Sequence, residues 1–207
     1  MPLVKKSDTK FSEEDYLEGE LISEVRHEYI DGTVYAMSGA SKNHNLISQN
    51  FSRELVNELK QKKSPCRTFS ENVKVRESKE TIQYFYPDVF VTCDPDDNES
   101  EYYVNSPVII VEVLSQSTRK YDLTTKKLYY FNIPTLREYV VIEQDICQVE
   151  VFRKSDDWRP TAYFPGDKII FESIDVTLSV EDIYYQVTNN DIAKFLIEQK
   201  EKAEENS

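Results

Sequence analysis

Apolar residues recur along the chain in two periods, and the switch between them outlines the fold. Between residues 41 and 61, Leu46, Ile47, Phe51, Leu55, Val56 and Leu59 fall at helical spacing and give one apolar face. Pro65 follows, after Lys60, Lys62 and Lys63. Residues 108–114 are instead an almost unbroken run rich in β-branched side chains, the pattern of a central strand covered on both faces. Shorter runs at 67–76, 84–93, 138–143 and 148–153 predict further strands. Residues 25–30 and 33–37 flank Asp31-Gly32, which suits a two-residue hairpin turn because both positions tolerate positive φ. Residues 158–164 and 168–172 predict a closing hairpin across Pro165-Gly166-Asp167. Ser12, followed by Glu13, Glu14 and Asp15, marks a helix start, with acids near the positive end of the helix dipole and an end near Leu21. Helices are also predicted from about 118 to 131 and from 178 to 185, and 191 to about 204 is either a helix or a frayed tail. Residues 94–106 form a polar, acidic loop. Hairpins flanking helices define an α/β chain of the α+β kind, a central mixed sheet flanked by helices, in a single domain over 11–187 with a tail at 188–207.

The chain has 207 residues, 39% of them hydrophobic, enough for one core of ordinary size without a second domain. Basic residues number 25 against 38 acidic ones, a net charge of −13, and no basic stripe stands out. Nucleic-acid phosphates are bound by Lys and Arg, so any such activity must rest on local basic groups and bound metal. Cys66, Cys93 and Cys147 form neither a zinc pattern nor a disulfide framework, and reduced thiols in a cytoplasm are expected. Residues 1–8 have no apolar leader core, and no apolar run approaches a membrane span. Four glycines and no glycine-rich loop argue against P-loop and dinucleotide enzymes, and two histidines without suitable cysteines argue against zinc.

The chemistry concentrates in two strands. Asp88 opens one, in Tyr86-Pro87-Asp88-Val89-Phe90-Val91, and Glu112 lies near the end of the other, in Val108-Ile109-Ile110-Val111-Glu112-Val113-Leu114. If they pair antiparallel about a loop centred near residue 100, positions 88 and 112 oppose each other, with Cβ atoms roughly 4.5–5.5 Å apart. Alternation then sets Glu112 on the face of Ile110 and Asp88 on the face of Phe90. Two carboxylates so close repel each other and resist desolvation, so one takes a proton or a cation sits between them. Mg²⁺ suits such a site, holding one or two carboxylates, water and a substrate phosphate, and the Val113 carbonyl is a further candidate ligand. The plainer alternative for each acid alone is the solvent end of a strand.

These residues resemble the PD-(D/E)XK signature of restriction-type nucleases. More specifically, the chain resembles a large bacterial family of restriction endonuclease-like proteins, formerly a domain of unknown function (Uma-two type). Arg26-His27-Glu28-Tyr29-Ile30-Asp31-Gly32, Tyr86-Pro87-Asp88 and Glu112 to Arg119 carry the resemblance, with Asp122, Lys126, Tyr130 and 133–139. It covers roughly residues 11 to 187. The superfamily places Lys two positions after the second acid, where Leu114 stands here. The resemblance implies that Lys126, on the following helix, fills that role by stabilising developing charge or orienting water. The alternative is an exposed Asp122–Lys126 pair at i, i+4, worth roughly 0.3–0.5 kcal/mol. It further implies a nuclease fold, with Asp88 and Glu112 holding Mg²⁺ (or Mn²⁺ in its place), DNA as the expected nucleic acid, and a homodimer. The number of metal ions, one or two, stays open.

Several side chains are secondary candidates. The resemblance further implies Glu28, on the first strand, as an additional metal ligand. His44, in the first turn of the second helix, is a candidate phosphate contact or proton carrier, or a structural histidine. Ser115 is a substrate or water contact, although Ser115, Ser117 and Thr118 equally suit an N-cap turn. Arg119, Lys120, Lys127 and Arg137 would supply positive charge near the site, or simply a solvated face. A fold that binds nucleic acid or protein without turnover is the rival to an enzyme.

Overall fold

The start and turn signals act where they stand. In the computed structural model, which describes residues 4–5, 10–77, 82–97 and 100–205, the Ser12 hydroxyl accepts the Asp15 N–H, and the Asp15 carboxylate accepts that of Ser12, closing a capping box on α1 (Glu13–Ile22). Residues 1–8, read above for a leader, lie largely outside the described residues. Asp31 (φ 49°) and Gly32 (φ 77°) turn β2 (His27–Ile30) into β3 (Thr33–Ala36), which also pairs with the short β1 (Val4–Lys5). A side chain at Gly32 would meet Lys10 Cδ at 3.0 Å, so both backbone conformation and space favour glycine there.

α2 (Lys42–Gln61) follows, capped by the Ser41 hydroxyl on the His44 N–H. Its buried stripe of Ile47, Phe51, Leu55 and Leu59 packs on one face of a six-stranded mixed sheet. That sheet comprises β4 (Arg67–Ser70), β7 (Val89–Thr92), β9 (Pro107–Leu114), β10 (Glu138–Glu143), β11 (Val149–Arg153) and β12 (Pro160–Tyr163). β9 is central, parallel to β10 and antiparallel to β7, and its Ile109, Val111 and Val113 face the α2 side. Ile110 and Leu114 face the other side, toward α3 (Arg119–Tyr121), a π turn (Asp122–Lys126) and α4 (Lys127–Phe131). A second sheet holds β1, β2 and β3 with β5 (Lys74–Glu77), β6 (Gln83–Phe85) and β8 (Tyr103–Val104). β13 (Lys168–Phe171), β14 (Val176–Ser179), α5 (Val180–Ile183) and α6 (Asn190–Glu205) close the α2 side.

The fold class is the expected one, an α+β arrangement of mixed sheets flanked by helices, but four local expectations change. The runs at 67–76 and 84–93 are not two continuous strands. Each breaks in the middle, and its halves join different sheets, at Glu71 (φ 52°) in one and at Tyr86-Pro87-Asp88 in the other. Pro87 donates no N–H to a ladder, so a break there is physically reasonable. Residues 158–164 and 168–172 do not pair. β12 pairs with β11 and β13 with β14, because left-handed Asp157 and Trp158 turn the chain early and the Trp158 ring stacks on Phe131 at 4.0 Å. The helix foreseen at 178–185 is α5 alone, preceded by the strand ending at Ser179. The 191–204 stretch is helical.

The fourth change concerns the cysteines. Cys66 and Cys93 are joined in a disulfide, and Cys147 is a buried free thiol. The register Arg67↔Thr92 makes 66 and 93 the next opposed pair, a long-range consequence of strand pairing that sequence spacing alone does not reveal. Closing a separation of 27 residues restricts the unfolded chain by about 3–4 kcal/mol on the chain-entropy argument. Denatured without reductant, the protein is therefore expected to titrate one thiol, and Cys66→Ser to lower its urea midpoint. Three reactive thiols before reduction would show the bond is not formed.

Candidate active site

The two sheets meet at the chain breaks, and the site lies at this seam. The Glu71 N–H donates to the Asp88 carbonyl at 3.2 Å, pinching the two broken runs together. The pairing Val89↔Val111 and Phe90↔Ile110 is the register expected from the sequence, and it carries Asp88 opposite Glu112. β2 brings Glu28 from the other sheet, α2 brings His44, and the π turn brings Asp122 and Lys126. The extra backbone residue of a π turn re-aims side chains, and here both Asp122 and Lys126 are buried.

Lys126 is the hub. Its ammonium lies 2.8 Å from Glu28, 3.0 Å from Glu112 and 3.8 Å from Asp122, and only 5% of the residue is exposed. The Tyr130 hydroxyl also donates to Glu112, at 2.8 Å. Asp88 accepts the Val113 N–H at 2.6 Å and faces His44 Nε2 at 3.3 Å. Burial pushes the Glu112 carboxyl well above its ordinary range, with repulsion from Asp122, Asp88 and Glu28 adding to it, although Lys126 pulls the other way. Burial likewise raises Glu28 and Asp122. Burial disfavours the Lys126 cation, but Glu112 and Glu28 outweigh it and the pKa rises well above normal. Burial also opposes charge on His44, and the hydrogen bond and charge of Asp88 reverse the sign.

Four carboxyl groups (Glu28, Asp88, Glu112, Asp122) thus face two basic ones (Lys126, His44). Glu28 is fully buried and makes no well-formed hydrogen bond through either oxygen beyond its ion pair. This surplus of oxygen donors suits a hard divalent cation. Among the described residues no three His, Cys, Asp or Glu side chains form a ready-made cage. A Mg²⁺ ion would therefore draw on Asp88, Glu112, backbone oxygen and water, consistent with its preference for retaining water.

Above the seam opens a cavity of about 440 Å³. Glu28, His44, Asp88, Val113, Asp122 and Lys126 line it, while Glu112 lies directly behind Lys126. Ser115 also lines it, with its hydroxyl in a turn against Thr118 at 2.9 Å and the Thr118 N–H at 3.1 Å. The structure thus brings together Asp88, Glu112, Lys126, Glu28, His44, Val113 and Ser115. Val113 meets Asp88 through its N–H. Three basic residues lie elsewhere. Arg119 is exposed and ion-paired with Glu143. The Lys127 ammonium sits 4.9 Å from the centre of the Phe152 ring. Arg137 lines a separate cavity with Glu138 and Arg153, at the opposite end of the sheet. In a helix, neighbours 126 and 127 point about 100° apart, so only one can enter the seam. Arg26 also lines the main cavity. Nothing in the sequence reading gave it a role, yet it lies two positions before Glu28, at the spacing that places strand residues on one face.

The fold is an α+β arrangement of mixed sheets flanked by helices. A solved structure titled as a "putative nuclease belonging to DUF820", from Anabaena variabilis, shares that fold with a TM-score of 0.69 at 18% identity, over 84% of this chain and 98% of that one. The chain belongs to the Uma2 family, described as "Putative restriction endonuclease", whose pattern matches residues 13–181. Two uncharacterized proteins of Synechocystis sp. are similar in sequence. One, slr1290, is 36% identical over 84% of this chain and 92% of its own length. The other, sll1609, is 34% identical over 69% of this chain and 80% of its own length. Among the described residues no helix is long and apolar enough to cross a membrane.

Proposed function

We propose that the protein is a Mg²⁺-dependent nuclease that hydrolyses phosphodiester bonds in nucleic acid, with DNA as the substrate, and that Asp88, Glu112 and Lys126 carry the chemistry. The observation supporting this is the opposition of Asp88, which lines the cavity, to the buried Glu112, with the Lys126 ammonium 3.0 Å from Glu112. Asp88 and Glu112 would hold the ion, with Glu28 nearby. When bound, Mg²⁺ polarises the phosphate and lowers the pKa of a coordinated water. Lys126 supplies a positive charge beside the acids, suited to stabilising charge that develops on the phosphate. His44, 3.3 Å from Asp88, would carry a proton at Nε2. Nuclease family membership supports a nucleic-acid partner, and a cytoplasmic place of activity is proposed from that partner alone, since the Cys66–Cys93 bond counts against it. A homodimer is in keeping with exposed Leu196 and Ile197 on α6 and Phe164 before it.

A second reading is a binding module that kept the fold without turnover. It is favoured by the enclosure of Lys126 in ion pairs with three acids. Incubation of the full chain with plasmid, oligodeoxynucleotides and RNA separates the two. The nuclease reading expects fragments with Mg²⁺ or Mn²⁺ and none with EDTA. Binding without cleavage of any substrate would favour the module.

A further inference from the structure

An anionic substrate entering the cavity meets four carboxylates among mostly neutral lining side chains. Glu28, Asp88 and Asp122 line it, and so does Glu71. Two of the cations there are already committed: Lys126 to three carboxylates, and His44 to Asp88. Arg26 is different. Among the described residues no carboxylate pairs with its guanidinium, although the side chain lines the cavity. Its position is nevertheless fixed. One N–H donates to the Glu71 carbonyl, at the pinch that also holds Asp88, and the guanidinium lies 5.9 Å from the centre of the Tyr86 ring. Tyr86 is in turn held by Glu20, to which its hydroxyl donates at 2.8 Å. One N–H of five is thereby used, which leaves a fork of donors for an anion.

Placement also matters. Arg26 immediately precedes β2, two residues before Glu28, and both side chains line the one cavity. A strand whose scissile phosphate sits beside Asp88 and Lys126 therefore passes Arg26 with a neighbouring phosphate. We propose that Arg26 is a positioning residue that binds a substrate phosphate adjacent to the scissile one. The inference rests on the nuclease reading above and deepens it: the substrate must present at least two successive phosphates, so a nucleic-acid strand is bound in preference to a single phosphomonoester.

The test compares wild type with Arg26→Gln and Arg26→Lys, using cleavage kinetics with Mn²⁺ and fluorescence anisotropy of a labelled single-stranded oligodeoxynucleotide across a salt series. The proposal expects Arg26→Gln to raise KM and Kd about tenfold at low salt, with kcat within threefold. It expects the salt slope to fall by about 0.7 for the one lost phosphate contact. Arg26→Lys should regain part of the affinity, since it restores the charge but not the fork. Unchanged KM, Kd and salt slope in an Arg26→Gln protein that melts like wild type would overturn the proposal and leave the nuclease reading standing. Binding without cleavage that is weakened by Arg26→Gln would overturn the nuclease reading and keep Arg26 only as a phosphate contact, and wild type that neither binds nor cleaves would overturn both.

Discussion

Asp88→Asn and Glu112→Gln are each expected to reduce metal-dependent cleavage by about a thousandfold or more while leaving the fold intact. A metal ion contributes several kcal/mol of charge stabilisation to phosphoryl chemistry, and about 4 kcal/mol corresponds to that factor. Both substitutions keep shape and remove charge. Asp88→Asn keeps an oxygen able to accept the Val113 N–H, now 2.6 Å from Oδ2. Glu112→Gln keeps an acceptor for Tyr130 and removes a carboxyl that burial already disfavours as an anion. Far-UV circular dichroism and melting temperature should stay near wild type, while gel-based rates collapse. Cleavage at wild-type rate in either variant would remove that acid from the site.

The second large effect is on stability. Lys126→Met is expected to destabilise the protein by about 3–5 kcal/mol, because it leaves Glu28, Glu112 and Asp122 buried without their cation. The loss should depend on pH with a definite sign. Burial holds these carboxyls above their unfolded values of about 4, so they favour the protonated form in the folded state. Removing Lys126 takes away the interaction that opposes this. Folding then takes up protons, so the variant gains stability as pH falls toward 4–5 and loses it as pH rises through the folded-state values. Urea midpoints at pH 8 and pH 5.5 read this directly. The deficit should be larger at pH 8, and adding Glu28→Gln to Lys126→Met should recover part of it. A deficit under about 1 kcal/mol, equal at both pH values, would mean that the ion pairs contribute little.

Much of this arrangement is legible in the sequence because it depends on local rules. Ser12 and Ser41 cap helices, Asp31-Gly32 turns a hairpin, and the β-branched run at 108–114 lies in the central strand. Asp88 and Glu112 could be paired only by assuming a register, which holds from Val89↔Val111 to Val91↔Ile109 and shifts at Thr92. Lys126 could be nominated by family resemblance, but its burial among three acids could not. An i, i+4 pair looks the same on an exposed helix as in this π turn. The features that escaped are products of long-range geometry. The broken strands change sheets at Glu71 and Pro87, and Cys66 reaches Cys93 only through the β4–β7 register. Charge alone also misled. Arg119, Lys127 and Arg137 are basic and near the site in sequence, yet each is turned to another partner or another face.

The central claim is that Asp88 and Glu112 together hold a catalytic divalent ion. Anomalous diffraction from a crystal soaked in Mn²⁺ tests it most directly. An anomalous peak between the Asp88 and Glu112 carboxylates, lost in Asp88→Asn, is the expected result. A peak elsewhere in the molecule, or none between these acids in a protein that cleaves with Mn²⁺, would contradict it.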